Sequence, residues 1–192
     1  MPRAVWSAIA RAIASQGVVV VSGPSGGGKS TLLKACLPRL ARLTCVPLVH
    51  LDLAAQAPPH ESLRPLIDTL PGPLAHALRL ASASGLAEAR LLLTPVHHLS
   101  TGERARRLIA LALHHANGGI LVIDEFASNL DVRTARSLAH ALTRAASRAG
   151  ISLLIATTRP SIVPHLFRTT PPTRVHCPLQ ARPQLIRVSQ NP

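Results

Sequence analysis

A buried strand that runs into a glycine-rich loop and then into a helix constrains this chain more than any other feature. VVVV, at residues 18–21, is a β-branched run bounded by glycines, and the loop GPSGGGKS follows at residues 23–30. Glycines at these places let backbone N–H groups turn inward around a phosphate, which the dipole of the following helix also attracts. Strands alternate with helices farther along the chain, so we expect an α/β domain with a mainly parallel central sheet.

Two side chains of the loop carry predicted chemistry. Lys29, at the start of the predicted helix, is expected to reach the β- and γ-phosphates of a nucleotide, and the Ser30 hydroxyl is expected to bind Mg²⁺. A glycine-rich turn without a ligand is the alternative interpretation. Because the chain contains only two lysines, a chance match is rare, and the pattern favours a P-loop NTPase.

A second apolar strand, ILVIDEF at residues 120–126, ends in two acids. This arrangement would place Asp124 beside the Mg²⁺ of a P-loop site, and it would let Glu125 polarise an attacking water as a general base. An acidic pair after a strand is usually a turn when it occurs alone. The P-loop upstream favours the catalytic interpretation.

The segment HHLSTGERARRLIALAL, at residues 97–113, allows two interpretations. Ser100, followed three positions later by Glu103 and then by an apolar run, predicts a capping box at the start of a helix. The same letters look like an altered nucleotide-binding signature. The two interpretations are compatible, because a helix start with free N–H groups is also what a phosphate requires.

In chain order, the P-loop, LSTGE, ILVIDE and SNLD at residues 128–131 resemble the motifs of the ATP-binding cassette (ABC) ATPases. The resemblance covers about residues 17–160, and it implies an ATPase that uses ATP and Mg²⁺ in a head-to-tail dimer. It also implies a phosphate or Mg²⁺ contact along the whole loop, which comprises Gly23, Pro24, Ser25, Gly26, Gly27, Gly28, Lys29, Ser30 and Thr31.

The resemblance assigns roles to further residues. Gln56 matches the glutamine that touches the metal and senses the γ-phosphate, so the implied metal-binding set is Ser30, Asp124 and Gln56. Asp131 matches the D-loop at the dimer interface. The signature that would meet the ATP of a second subunit consists of Ser100, Thr101, Gly102 and Glu103.

The chain departs from the family pattern in several places. Thr101 stands where a glycine is usual, Glu103 stands where transporters carry glutamine, and Thr158 occupies the switch position of a histidine. Few residues precede the P-loop, so Trp6 is the one candidate for stacking on a base, although packing is the more common role of such a residue. DEFASNLD and LIATTRP resemble most closely a group of soluble ABC-type ATPases that are sometimes joined to an acetyltransferase-like domain.

Composition limits the classes of partner. Aromatic residues make up 2% of the 192 residues, which argues against stacking platforms for single-stranded nucleic acid and predicts a core of Leu, Ile, Val and Ala. A net charge of +13 is compatible with a nucleic-acid partner or with a biased genome. Three cysteines without CxxC spacing predict neither disulfides nor zinc, which suits a cytoplasmic protein, and no apolar run is long enough to span a membrane.

We expect one ABC-type ATPase domain over residues 1–192. Its predicted nucleotide-binding core comprises residues 17–56 and 117–160, with a helix from Lys29 to about Arg42 that breaks near Pro38. A helical insertion and the signature helix occupy residues 57–116, and a hairpin-like segment occupies residues 161–192.

The histidine pairs His97–His98 and His114–His115 invite a metal hypothesis, but adjacent histidines on a helix point about 100° apart, so solvated helix ends are the preferred interpretation. Arg104, Arg106 and Arg107 are expected to line a solvated face, with phosphate steering as the alternative.

The sequence therefore predicts a chain that binds and hydrolyses Mg-ATP as a dimer with an unidentified protein partner. The alternatives are a transport subunit that drives a membrane permease, a weakly hydrolytic nucleotide switch that acts on DNA or protein, and a nucleotide or polynucleotide kinase. LSTGE and SNLD argue against the kinase.

Overall fold

Six strands form one sheet in the part of the chain that this computed structural model describes, which comprises residues 1–53, 59–128, 130–166, 173–179 and 182–186. Their spatial order is β2-β3-β4-β1-β5-β6, and every neighbouring pair is parallel except β5 and β6. The predicted parallel sheet and the terminal hairpin are thereby confirmed. The strands are β1 (Val18–Ser22), β2 (Leu48–Asp52), β3 (Ile120–Asp124), β4 (Ser152–Thr157), β5 (Thr173–His176) and β6 (Gln184–Ile186).

Helices connect the parallel strands and cover both faces of the sheet. Because both faces are buried, strands such as β1 are apolar at nearly every position, and Val19, Val20 and Val21 are each 0% exposed. The helices are α1 (Arg3–Ala14), α2 (Lys29–Leu43), α3 (Pro59–Ser62), α4 (Leu74–Ala83), α5 (Ala89–Leu92), α6 (Thr101–His115) and α7 (Val132–Arg148).

Two apolar clusters lie on opposite faces of the sheet. On one face, Ile9 of α1 and Leu33 of α2 pack against Val19 and Val21. On the other face, α6 and α7 pack against Val20 and its neighbours in β3 and β4 through apolar side chains that include Ile109, Leu138 and Leu142. The core consists of Leu, Ile, Val and Ala as predicted, apart from the buried side chains of Cys36, Cys177 and Phe126.

The helical insertion has a smaller core of its own. Leu66, Ala81 and Leu86 pack together with Ala110 of α6. The adjacent residue Ile109 belongs to the cluster on the sheet. Helix α6 therefore joins the insertion to the sheet by presenting a different side to each.

The predicted break near Pro38 is wrong, because α2 continues from Lys29 to Leu43. Buried Cys36 and Leu40 hold the helix against the sheet on either side of the proline. Pro38 lies on the exposed side, where water can satisfy the carbonyl that loses its N–H partner. Packing therefore outweighs the lost hydrogen bond.

The carboxyl ends of β1, β3 and β4 are neighbours, because β4 lies between the other two strands. The P-loop leaves β1 at this edge, Glu125 follows β3, and Thr158 follows β4. The segments that carry the predicted chemistry therefore meet at one edge of the sheet, as ligand sites in open α/β sheets generally do. In the described part of the chain, no helix is both long and apolar enough to cross a bilayer.

Candidate functional site

The P-loop follows a tightly packed path between β1 and α2. Gly23 has a φ of +153°, and a Cβ at this position would lie 2.2 Å from the carbonyl oxygen of Cys177. The Cys177 amide in turn donates to the Ser22 carbonyl at 2.8 Å. Gly28 caps α2 with a φ of +80°, a backbone conformation that L side chains rarely adopt. Close approach to the end of β5 and left-handed backbone thus explain why the loop needs glycines.

Lys29 lies over the loop that precedes it. Its side chain is 6% exposed, and its ammonium donates to the Pro24 carbonyl at 2.6 Å. Ser30 is half-buried in the first turn of α2, and Thr31 is exposed. The ammonium, the hydroxyl and the first N–H groups of α2 therefore converge where an anion would be bound.

A cavity of about 580 Å³ adjoins the P-loop. Gly27, Gly28 and Thr31 form one wall, and Met1, Pro2, Arg182 and Pro183 contribute to the others. Trp6 is not among its lining residues. The indole instead packs partly buried against the core, with the Arg39 guanidinium 5.5 Å from its ring centroid, so Trp6 has the packing role.

The acidic pair stands where β3 ends. Asp124 is half-buried, and its Oδ1 accepts from the Glu125 amide at 2.9 Å. Glu125 is exposed and has a φ of +50°, which is uncommon for a residue with a side chain. Asp52, which the sequence analysis overlooked, is aligned with Asp124 in the register of β2 and β3. The edge therefore holds one half-buried and one exposed carboxylate, with a third acidic residue at the same level.

Phe126 holds Glu125 in this conformation. Its side chain is 0% exposed, its amide donates to the Ala156 carbonyl at 2.8 Å, and its carbonyl accepts from the Thr157 hydroxyl at 3.1 Å. Because the neighbouring side chain is buried in the core, Glu125 points toward solvent. Backbone strain of this kind is common at functional sites.

Arg159 connects the switch segment to the loop after β3, a role that the sequence analysis missed. Its guanidinium donates to the carbonyls of Ser128 and Leu130, the first of them at 2.9 Å, and its amide donates to the Thr157 hydroxyl at 3.1 Å. Thr158 is half-buried between these contacts. An arginine directly after a buried strand was the available signal, because a partly buried guanidinium needs several acceptors.

Ser100 and Glu103 form the predicted capping box. The Ser100 hydroxyl accepts from the Glu103 amide at 3.3 Å, and the Glu103 carboxylate accepts from the Ser100 amide at 2.8 Å. Ser100 and Thr101 are exposed. A Cβ on Gly102 would lie 3.1 Å from Cγ2 of Thr134, so the starts of α6 and α7 are close together. No hydrogen bond or ion pair among the described residues joins this capping box to the P-loop of the same chain.

Asp131 caps α7 by accepting from the Thr134 amide at 3.0 Å. Hydrogen bonds from Thr134 lower the pKa of its carboxyl. Gln56, the remaining predicted nucleotide and metal contact, lies outside the described residues.

The arginines near the start of α6 do not line a solvated face as expected. Arg107 is buried and donates to the Thr69 hydroxyl at 2.9 Å. Arg104 donates to the carbonyls of Leu99 and His97, and Arg106 donates to the carbonyl of Gly85. Loop carbonyls attract these guanidinium groups because they would otherwise lack partners. The three side chains therefore fasten the insertion to α6.

The histidine pairs behave differently from each other. His97, His98 and His115 are exposed, as expected. His114 instead faces His76, with ring nitrogens 3.0 Å apart, and burial together with the neighbouring imidazoles lowers its pKa. Among the described residues, no group of three or more His, Cys, Asp or Glu side chains is arranged to hold a metal ion.

The residues at the P-loop edge nevertheless suit Mg²⁺. This cation prefers oxygen ligands and is usually held by one or two carboxylates together with substrate phosphates rather than by a cage of protein groups. Asp124 supplies a half-buried carboxylate of which one oxygen accepts from an amide, and Ser30 supplies a hydroxyl. The chemistry of this donor set therefore fits Mg²⁺ bound jointly with a nucleotide.

Comparison with known proteins places this site in a family. A family model described as an AAA domain matches residues 11–164. The zinc import ATP-binding protein ZnuC of Pseudomonas entomophila is 28% identical over 161 residues, which is 79% of this chain and 62% of that protein. The lipoprotein-releasing system ATP-binding protein LolD of Granulibacter bethesdensis is 40% identical over 94 residues, which is 48% of this chain and 39% of that protein. The chain thus spans less than two thirds of these relatives.

Solved structures agree on the fold. A dimeric ATP-binding cassette in a post-hydrolysis state with ADP and Pi matches 90% of this chain and 86% of its own, with a TM-score of 0.62 and 18% identity. The ADP conformation of an ATP-binding cassette of an ABC transporter matches 84% of this chain and 76% of its own, also with a TM-score of 0.62, at 16% identity. The chain therefore belongs to the AAA-domain family and has the P-loop fold of an ATP-binding cassette ATPase.

Proposed function

We propose that this chain binds Mg-ATP and hydrolyses it in a head-to-tail homodimer. The observation that carries the proposal is the meeting of the P-loop, Asp124 and Glu125 at one edge of the sheet, while the exposed start of α6 makes no polar contact with the P-loop of its own chain. A site completed by a second subunit explains why Ser100 and Thr101 are exposed.

Positioning and charge stabilisation would supply most of the catalysis. Lys29 and the amides of residues 23–31 would hold the phosphates, and the first N–H groups of the partner's α6 would bind the γ-phosphate from the other side. Glu125, projected into solvent by buried Phe126, would orient and deprotonate the attacking water. Arg159 would fix the loop that carries Glu125 and Asp131.

Ser30 and Asp124, with Gln56, would hold Mg²⁺. The bound cation would neutralise negative charge on the β- and γ-phosphates. Thr158, rather than an imidazole, stands at the switch position, so we expect slower hydrolysis than in family members that carry histidine there.

Turnover should depend on chain concentration if two subunits share each site. We expect the rate per chain to rise through the dimerisation range, and a flat rate would contradict the dimer. Glu125→Gln should abolish turnover and accumulate an ATP-bound dimer, measured by light scattering with ATP. Glu88→Gln, an exposed charge change outside the site, is the matched control and should leave both properties unchanged.

ATP-driven transport is the second candidate function, because ZnuC and LolD are named as ATP-binding proteins of import and release systems. Co-purification of a membrane permease with the chain would favour it. We further propose a cytoplasmic location, since all three cysteines are free thiols. DEFASNLD and LIATTRP support placement among the soluble ABC-type ATPases related to those joined to acetyltransferase-like domains.

A further inference from the structure

A groove between α4 and α7 collects positive charge. Two adjoining cavities form it, one of about 510 Å³ that Arg79, Arg144 and Arg148 line, and one of about 410 Å³ that His76 and His114 help to line. Arg79 and Arg148 line both cavities, so the two form one continuous surface. The groove is thus a concave strip with basic side chains on both walls.

Helix α7 extends this strip along its length. Arg136, His140, Arg144 and Arg148 recur every four residues, so they lie on one side of the helix, and all four are exposed. From Arg136 to Arg148 the helix rises about 18 Å. These four residues together with Arg79 of α4 are called the basic face.

No carboxylate neutralises the basic face. All eight acidic residues lie at or before Asp131, whereas residues 132–192 contain nine arginines and no acidic residue. Within the described part of the chain, no ion pair involves Arg79, Arg136, Arg144 or Arg148. The charge of this surface is therefore available to an anionic partner.

The basic face also extends away from the nucleotide site. Helix α7 starts beside Asp131 at the P-loop edge and ends next to β3, where the Gly118 amide donates to the Ala149 carbonyl at 2.9 Å. Its 17 residues span about 25 Å. Arg144 and Arg148 therefore lie toward the opposite end of the sheet.

We propose that the basic face binds the sugar–phosphate backbone of double-stranded nucleic acid. Guanidinium groups match phosphate oxygens in a planar, two-point geometry, and a straight row of them on a helix suits a regular array of phosphates. Recognition of this kind is independent of base sequence. The proposal goes beyond ATP hydrolysis and does not depend on it.

The structure favours a duplex over the other anionic surfaces. A helix that binds a membrane inserts an apolar side, but the apolar side of α7 is packed on the sheet, with Leu138 and Leu142 each 0% exposed. Single strands are usually held by aromatic stacking, and no aromatic residue lines either cavity.

The test measures binding of the full chain to a mixed-sequence DNA duplex at several salt concentrations. R136Q/R144Q/R148Q should weaken binding at least tenfold and reduce the slope of log K against log salt by about 2.7, which is about 0.9 for each lost phosphate contact. R136K/R144K/R148K keeps the charge and should keep most of the slope. R11Q/R42Q/R90Q removes the same charge from exposed positions on α1, α2 and α5 and should change binding less than about threefold.

Equal loss in the control triple variant would overturn the proposal, because the affinity would then follow from net charge alone. Binding of the wild type to phosphatidylglycerol vesicles but not to the duplex would overturn it in favour of a membrane. Lys29→Ala should leave duplex binding unchanged while ATP binding is lost, so failure of the ATPase proposal and failure of this one are separate results. R136Q/R144Q/R148Q should retain the wild-type ATP turnover measured without DNA.

Discussion

The two edges of the parallel sheet use the same backbone device for different purposes. At the amino ends of β1, β3 and β4, positive φ occurs at Gln16, Gly118 and Gly150, each of which follows a helix that it helps to terminate. At the carboxyl ends, positive φ shapes the loops that carry Lys29 and Glu125, through the left-handed residues Gly23, Gly26, Gly28, Glu125 and Ala127. Left-handed backbone is an ordinary helix ending at one edge and a means of placing reactive groups at the other.

Charge separates the same two regions. Asp124, Glu125 and Asp131 lie near the carboxyl edge, whereas Arg79, Arg144 and Arg148 lie toward the amino edge with no paired carboxylate in the described residues. The difference suggests that one edge performs chemistry on a nucleotide and the other binds a polyanion. Substitutions that affect one edge should therefore leave the other intact.

Matched glycine substitutions should give the largest difference between the edges. Gly23→Ala places a Cβ 2.2 Å from the Cys177 carbonyl oxygen, whereas a Cβ on Gly118 would meet nothing within 4 Å. We expect Gly23→Ala to lower the free energy of unfolding by more than about 3 kcal/mol. Gly118→Ala should lower it by about 1–2 kcal/mol, the penalty for left-handed backbone. Urea denaturation measures both, and equal losses would contradict the assigned packing of the P-loop.

Removal of the Arg159 guanidinium should have an intermediate effect. Arg159→Ala takes away the donors to Ser128 and Leu130, so the loop that carries Glu125 is less well fixed, and turnover should fall about tenfold. ATP affinity should change less than about twofold, because the P-loop is untouched. Arg159→Lys should restore little, since one ammonium cannot reproduce the planar fork. Arg148→Ala, on the basic face, should leave turnover unchanged; a matching loss there would contradict a specific role for Arg159.

Titration of His114 should give the smallest effect. Burial, followed by the charges of His115 and His76, lowers its pKa below the ordinary value of 6.5. As pH falls below 6.5, the unfolded chain takes up the proton first, so stability decreases from 6.5 down to the folded-state pKa and is constant below it. His114→Gln should remove that part of the pH dependence. Free energies of unfolding measured at a series of pH values test this, and parallel curves for the two proteins would refute it.

The local patterns predicted most of the fold, because local chemistry determines those elements. The run VVVV, the capping box at Ser100 and the glycines after α6 and α7 each contain within a few residues the physics that starts or ends an element. The same reasoning failed at Pro38, where Cys36 and Leu40 hold the helix together through contacts with distant strands.

The candidate site was predictable where it depends on motifs and unpredictable where it depends on distant contacts. Lys29, Ser30 and Asp124 follow from the loop pattern and from the strand that ends in acids. The contacts of Cys177 with Gly23 and of Arg159 with Ser128 and Leu130 join residues separated by roughly 30 to more than 150 positions. No local pattern contains that information, so the structure was needed to find them.

A mixing experiment tests the shared site most directly. Lys29→Ala disables the P-loop. Thr101→Glu places a negative charge at the exposed start of α6, where it stabilises the helix and repels a γ-phosphate. Each variant alone should be inactive, because both sites of its homodimer lack one essential part.

Mixing the two variants in equal amounts should restore turnover if each site uses the P-loop of one subunit and the signature of the other. Half of the dimers would then contain one intact site, so the expected rate is about a quarter of the wild-type rate at the same total concentration. A mixture that remains inactive under conditions where the two variants form heterodimers would contradict the account.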